Sequence, residues 1–169
     1  MTPMAPTRPN RSSLPLIAFG KRKYRIRLTA NLAAAAAARA EVEEAIRAWR
    51  VPVDPDIAVL LTSELVANAI THGTRPESDS VLLTIACDGR GLRVDVHDES
   101  GDLPVLSECL LDAEAESGRG LLLVTSLSAE WGFYRTAVGK AVYFTLRYPA
   151  EFPADASDGA GNDGPRSVS

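Results

Sequence analysis

Strict alternation of apolar and polar residues marks the first regular segment of the chain. In KYRIRLT, Lys23–Thr29, the residues Tyr24, Ile26 and Leu28 lie on one side and basic residues lie on the other. This pattern predicts a half-buried β-strand at the edge of a sheet, where the charged side chains discourage further strand pairing.

The same alternation predicts two β-hairpins farther along the chain. Residues 81–87 and 92–98, VLLTIAC and LRVDVHD, flank the turn sequence DGRG. Residues 130–137 and 141–148 flank a second turn around Val138–Lys140. Alternating segments joined by a short glycine-containing turn are typical of hairpins.

Apolar residues at helical spacing predict three helices. The first is capped by Asn31 and runs through an alanine-rich segment to about Trp49. The second begins at Asp54-Pro55, a good N-cap and first-turn pair, and ends at Gly73. The third covers Arg119–Ser128.

The element order β-α-α-β-β-loop-α-β-β predicts an α/β two-layer sandwich. Its sheet is expected to be mixed and mainly antiparallel, with the helices on one face. We assign the domain to residues 21–149, with residues 99–118 as a mobile loop. The segments 1–20 and 150–169 lack hydrophobic periodicity and are predicted to be disordered tails.

Charge and composition narrow the classes of protein. Residues 1–27 hold seven Lys or Arg and no acid, whereas the remainder holds eleven basic and twenty-two acidic residues. The basic segment is a flexible solvated tail or a contact for nucleic acid or an acidic partner. Two cysteines without a zinc pattern, no secretory signal and no apolar run of about 18 residues predict a cytoplasmic protein without a membrane span.

The second predicted helix carries two polar groups on one face. Glu64 and Asn68 are separated by about 40° around the helix axis. Mg²⁺ prefers such oxygen ligands and takes only one or two from protein, leaving the others to water and phosphates. The glutamate could instead orient or deprotonate a hydroxyl. Alternatively, both side chains simply line the solvent edge of the helix.

A strand end and its loop supply a second signal. Asp98 ends the strand LRVDVHD and is followed by Ser100 and Gly101. Its carboxylate could accept a hydrogen bond from an exocyclic amine, while the small residues let a flat ring approach the backbone. An ordinary turn explains the same residues.

Two weaker signals follow along the chain. Gly118 and Gly120 precede or open the third helix, whose free N–H groups suit a phosphate, although they match neither the P-loop nor the full GxGxxG pattern. Thr145 lies in the last strand, where threonine is common for its β-propensity alone.

In this order, the sequences ELVANAITHG, HDESGDLP and SGRGLLLV resemble the GHKL or Bergerat-fold ATPases, which include histidine kinases, gyrase, Hsp90 and MutL. The resemblance covers about Tyr24 to Tyr148. It is strongest to the single-domain anti-sigma factor serine kinases of the RsbW and SpoIIAB type and to short actinomycete ATP-binding regulators.

The resemblance implies ATP and Mg²⁺ as cofactors and assigns a role to each matching residue. Asn68 corresponds to the Mg²⁺ ligand, Glu64 to the residue that acts as or positions the general base, and Asp98 to the residue that reads the adenine amino group. Residues 99–118 correspond to the lid. The further nucleotide-binding positions that it implies are Gly101, Gly118, Arg119, Gly120, Leu121 and Thr145.

The chain also departs from the family pattern. The usual Asp-x-Gly is Asp98-Glu99-Ser100 here, with glycine only at Gly101, and the lid glycines are reduced to Gly118-Arg119-Gly120. Because the chain has no dimerisation helix with a phosphoacceptor histidine, we do not expect a sensor histidine kinase. His72 is interpreted as a histidine at a helix end.

Three functions remain open at this point. The first is a protein serine/threonine kinase that holds a sigma factor and phosphorylates a STAS-domain anti-anti-sigma protein, with a homodimer as its possible form. The second is an ATP-binding module that controls a protein partner without phosphoryl transfer. The third is nucleic-acid binding through the basic segment, which no recognised DNA-reading motif supports.

Overall fold

The computed structural model describes residues 21–73, 80–100 and 116–152. Within these ranges the order of elements agrees with the prediction from the sequence. The strands are β1 (Arg22–Thr29), β2 (Ser80–Cys87), β3 (Gly91–Asp98), β4 (Glu130–Arg135) and β5 (Lys140–Arg147). The helices are α1 (Ala34–Trp49), α2 (Pro55–Asn68), which continues as a π-helical segment (Ala69–Gly73), and α3 (Glu116–Leu127).

The five strands form one open sheet in the order β1-β2-β3-β5-β4. All four strand pairs of the described residues are antiparallel, so the expected α/β sandwich is confirmed with an antiparallel rather than a mixed sheet. The β3–β5 register pairs Val94 with Phe144 and Asp98 with Lys140. The end of β3 therefore meets the beginning of β5 in the middle of the sheet.

The core lies between one face of this sheet and the helices. Alternate residues of the strands, such as Ile85, Val94 and Phe144, are fully buried there, together with Leu61 and Leu65 of α2. Burial of each such side chain contributes roughly 1.5–3 kcal/mol to folding. In β3 and β5 the even-numbered residues face the helices, and the odd-numbered residues face away from them.

The two predicted N-cap residues, Asp54 and Asn31, differ in how well they locate the beginning of a helix. Asp54 caps α2 as predicted, since its carboxylate accepts from the N–H of Asp56 at 2.9 Å and Pro55 begins the helix. The Asn31 side chain accepts from the N–H of Ala33 in a turn, and α1 begins only at Ala34. Asn31 thus shapes the entry to the helix without being its cap.

Several predictions fall on residues that the structure does not describe. The disordered tail at 1–20, nearly all of the tail at 150–169 and most of the mobile loop at 99–118 lie outside the described residues. Among the helices that are described, none combines the length and apolar character needed to cross a membrane.

Candidate functional site

The C-terminal half of α2 carries the polar line predicted from the sequence. Glu64 and Asn68 are half-buried, whereas Leu61 and Leu65 beside them are in the core. Asn68 is the last α-helical residue, because the chain widens into the π-helical segment at Ala69. Single π turns occur frequently at functional sites. This one packs against β3, which ends in Asp98.

The Glu64 side chain lies in close contact with Gly120 of α3. A Cβ atom placed on Gly120 would lie 3.4 Å from Cβ and Cδ of Glu64 and would collide with its carboxylate. A side chain at position 120 would therefore displace the Glu64 carboxylate. The expectation that Gly118 and Gly120 precede or open α3 is corrected, because the helix begins at Glu116 and Gly120 is its fifth residue.

Asp98 is buried at the end of β3, with only 4% of its surface exposed. Its Oδ1 accepts from the backbone N–H of Ser100 at 2.9 Å and lies 3.3 Å from Nζ of Lys140. Burial raises the pKa of Asp98, while the Ser100 N–H and the Lys140 charge act in the opposite direction. The lysine also donates to Oγ of Ser100 at 3.1 Å.

The sequence reasoning overlooked Lys140, which lies directly opposite Asp98 in the register of β3 and β5. Gly139 makes this contact possible, because a Cβ there would lie 2.6 Å from Cα of Glu99 and nearer still to the carbonyl of Asp98. The dipeptide GK at the start of the last strand is the signal that could have indicated a close crossing of two backbones.

Thr145 does not lie with these residues. It pairs with Arg93, five residues along β5 from Lys140, and as an odd-numbered residue it faces away from the helices. Five residues of strand span about 17 Å. The structure therefore separates Thr145 from Asp98 in both position and face, and the nucleotide-binding role that the resemblance implies for Thr145 stays a prediction.

The remaining predicted positions lie on or before α3. Leu121 is buried in the core and Arg119 is exposed. Gly118 is the third residue of α3, while Gly101 lies outside the described residues. Glu64, Asn68 and Asp98 thus remain as the polar groups that share the helix-covered side of the sheet.

These groups fit the donor set that Mg·ATP requires. A hard cation takes carboxylate and amide oxygens, which Glu64 and Asn68 supply from one helix face. The described part of the chain contains no group of three or more His, Cys, Asp or Glu residues that could hold a metal. An Mg²⁺ ion at this place would therefore depend on one or two protein oxygens and on the phosphates of a nucleotide.

Comparison with known proteins places the chain in a family. Residues 28–146 match the family model of the histidine kinase-like ATPase domain. No curated protein matches the sequence. The solved structure of the RsbU and RsbW domains of Mycobacterium tuberculosis Rv1364c matches with a TM-score of 0.56 and 24% identity, over 75% of this chain and 32% of that chain.

A second solved structure is the histidine kinase domain of the blue-light activated histidine kinase EL346 from Erythrobacter litoralis. It matches with 26% identity and a TM-score of 0.39, over 54% of this chain and 43% of that chain. The chain thus spans less than half the length of each of these two structures. Since the family model covers most of the described domain, the chain belongs to the histidine kinase-like ATPase domain family, whose fold implies ATP binding.

Proposed function

We propose that the protein is an Mg·ATP-dependent serine/threonine kinase of the anti-sigma type, which phosphorylates a STAS-domain antagonist of a sigma factor. The proposal depends on one observation above all. Glu64 and Asn68 share a half-buried helix face on the side of the sheet where β3 ends in the buried carboxylate of Asp98.

Each of the three residues has a separate task in this proposal. Asp98 accepts a hydrogen bond from the exocyclic amine of adenine and so fixes the base. The amide oxygen of Asn68 holds Mg²⁺, which when bound supplies charge neutralisation at the phosphates. Glu64 accepts the proton of the attacking serine or threonine hydroxyl, and its contact with Gly120 limits where its carboxylate can move.

The proposed partner class comes from the resemblance and from one solved relative. The solved structure of that relative contains an RsbU domain and an RsbW domain. The proposal extends this to a sigma factor and a STAS-domain protein as partners of this chain, with a homodimer as its possible form. The proposal includes a cytoplasmic location, because ATP and sigma factors occur in the cytoplasm.

Nucleotide binding is tested by calorimetric titration of Mg·ATP. The wild type is expected to bind, and Asn68→Ala and Asp98→Ala are expected to weaken binding more than tenfold, about 1.4 kcal/mol. Asp56→Ala is a matched control, since Asp56 is exposed at the opposite end of α2. A folded wild type that does not bind Mg·ATP under any Mg²⁺ condition would refute the proposal.

Phosphoryl transfer is tested with labelled ATP and purified STAS-domain proteins. Glu64→Gln should bind Mg·ATP normally and lose transfer, while Glu43→Gln, a change of an exposed glutamate on α1, should retain it. If Glu64→Gln still controls the partner fully and the wild type transfers no label, the protein is an ATP-dependent binding module instead of a kinase.

A further inference from the structure

A buried lysine lies beside the carboxylate that the proposed function assigns to the base. Lys140 is 7% exposed, and lysine is almost never buried this deeply unless it is paired. Its Nζ lies 3.3 Å from Oδ1 of Asp98 and donates to Oγ of Ser100 at 3.1 Å. Because it begins β5 while Asp98 ends β3, the contact joins two strands that are distant in sequence.

The described contacts of Asp98 fix one of its two oxygens. The Ser100 N–H and the Lys140 ammonium group both meet Oδ1, from the loop side and from the neighbouring strand. Gly139 leaves no room for a side chain against the backbone of Asp98 and Glu99, so the two strand ends lie close together. Among the described residues these contacts are all to Oδ1, and none is made to Oδ2.

The charge of Lys140 also affects the protonation of Asp98. Burial favours the neutral acid, and a nearby cation favours the carboxylate. The other charge that reaches Asp98 is that of His97, and the ionisable residues of the helical segment packed on β3 are Asp56, Glu64 and His72. Of these, Lys140 is the cation in direct contact, and its charge opposes the effect of burial, which raises the pKa of Asp98.

We propose that Lys140 is a positioning residue for base selection: it holds the Asp98 carboxylate so that Oδ2 accepts the exocyclic amine of the purine. This inference rests on the proposed function, because it requires ATP to bind at Asp98. A base without that amine offers no donor to Oδ2 of a buried carboxylate, and a missing hydrogen bond of this kind is a strong source of discrimination in a binding site. By fixing the orientation of the Asp98 carboxylate, Lys140 favours binding of adenine over a purine that lacks the exocyclic amine.

The experiment compares ATP with purine riboside triphosphate, which lacks the exocyclic amine, by calorimetry in Mg²⁺. The wild type should prefer ATP by about tenfold, which corresponds to about 1.4 kcal/mol. Lys140→Met should reduce that preference below threefold, and Lys140→Arg should retain part of it because the charge remains. Lys23→Met, a change of an exposed lysine on β1, should leave the preference unchanged.

The outcomes separate the two proposals. If the wild type prefers ATP and folded Lys140→Met keeps the full preference, the inference about Lys140 is wrong while the proposed function stands. If the wild type binds neither nucleotide, both are wrong.

A second measurement on the wild type applies even if Lys140→Met fails to fold. The labelled Asp98 carboxyl resonance should move with ATP and stay in place with purine riboside triphosphate, while the Lys140 ammonium protons remain protected from solvent exchange in both complexes. Ammonium protons that exchange freely once ATP is bound would show that the base displaces Lys140, and this would overturn the inference.

Discussion

Asp95 and Asp98 lie three residues apart on β3, and both are buried, but they occupy opposite faces of the sheet. Asp95 is 5% exposed on the open face, which is the face that the described helices leave uncovered. There Arg93 contacts both of its oxygens and Tyr134 donates to Oδ1 at 3.1 Å. The Arg93 guanidinium lies 3.6 Å from the centre of the Tyr143 ring. Asp98 lies on the helix-covered side with a lysine that is itself buried.

The difference shows that a buried carboxylate with a cation does not by itself indicate a ligand site. The side chain of Arg93, which pairs with Asp95, is 40% exposed, and the tyrosines Tyr134 and Tyr143 contact this pair. The side chain of Lys140, which pairs with Asp98, is 8% exposed. It lies between two strand ends and the residues that follow β3. Only Asp98 shares its side of the sheet with Glu64 and Asn68, so position in the fold distinguishes the two aspartates.

The largest expected effect is a difference in the free energy of unfolding between Asp98→Ala and Asp95→Ala. Asp98→Ala leaves Lys140 buried without its charge partner, and breaking such a pair costs about 3–5 kcal/mol. Asp95→Ala should cost about 1 kcal/mol, because the half-exposed Arg93 can turn to water. Urea unfolding of the two variants measures the difference in the free energy of unfolding.

A double variant provides the control for this comparison. Asp98→Ala with Lys140→Met removes both charges and should recover most of the lost stability, because no unpaired charge stays buried. Equal losses in Asp95→Ala and Asp98→Ala, with no recovery in the double variant, would contradict the distinction between the two faces.

The next effect concerns catalysis on the helix-covered side. Gly120→Ala places a methyl group against the Glu64 carboxylate, which must move away. We expect at least a tenfold loss of phosphoryl transfer, about 1.4 kcal/mol. The free energy of unfolding should change by less than about 1 kcal/mol, because the gain in helix propensity offsets the crowding of a flexible side chain.

Gly132→Ala is the matched glycine change on the open face. Its new methyl group would approach Tyr143 at 3.0–3.2 Å, away from the proposed nucleotide site. It should alter stability and leave the transfer rate unchanged. A Gly120→Ala protein with full transfer activity would show that the position of Glu64 is not critical.

The contrast between the faces also explains what the sequence could reveal. Local signals located the elements well: the Asp54-Pro55 cap and the DGRG turn depend on neighbouring residues only. Glu64 and Asn68 share a helix face at a fixed spacing, and Asp98 ends a clearly alternating strand. These features follow from helix and strand geometry, so pattern reasoning reached them.

The missed features depend on contacts between distant segments. The contact of Asp98 with Lys140 requires the register of β3 on β5, and these strands are separated in sequence by residues 99–115, α3 and β4. Gly120 lies inside α3 despite its low helix propensity because α2 approaches it at Glu64, a tertiary contact that no local pattern encodes. The widening of the chain at Ala69 into a π turn also left no signal in the sequence.

A smaller effect is expected from Tyr134→Phe, which changes the open face alone. Tyr134→Phe removes the hydroxyl that donates to Asp95 and should cost about 1 kcal/mol of unfolding free energy. The affinity for Mg·ATP should stay unchanged, because this face lies across the sheet from Glu64, Asn68 and Asp98. Tyr24→Phe, which removes a hydroxyl on β1 that hydrogen-bonds with Glu41, serves as the control for the loss of such a bond elsewhere. A loss of Mg·ATP affinity in Tyr134→Phe would mean that the two faces are coupled.

The smallest expected effect is a pair of opposite pH dependences. Burial raises the pKa of Asp98 above its ordinary value of 3.8, so its contribution to stability is full below pH 3.8 and is lost as the pH rises through the folded-state pKa. Burial lowers the pKa of His97, on the open face, below 6.5. Its contribution is present above pH 6.5 and is lost as the pH falls through the folded-state pKa.

Urea midpoints measured from pH 3 to 8 can separate the two groups. Asp98→Asn should remove the fall in stability that begins above pH 3.8, and His97→Gln should remove the fall that begins below pH 6.5. Both effects are small, since His97 is only half-buried and Lys140 partly compensates Asp98. If Asp98→Asn instead steepened the loss of stability with rising pH, the carboxylate would be stabilised by its surroundings more than burial disfavours it. Lys140 would then hold Asp98 as an ionised acceptor more strongly than the raised pKa indicates.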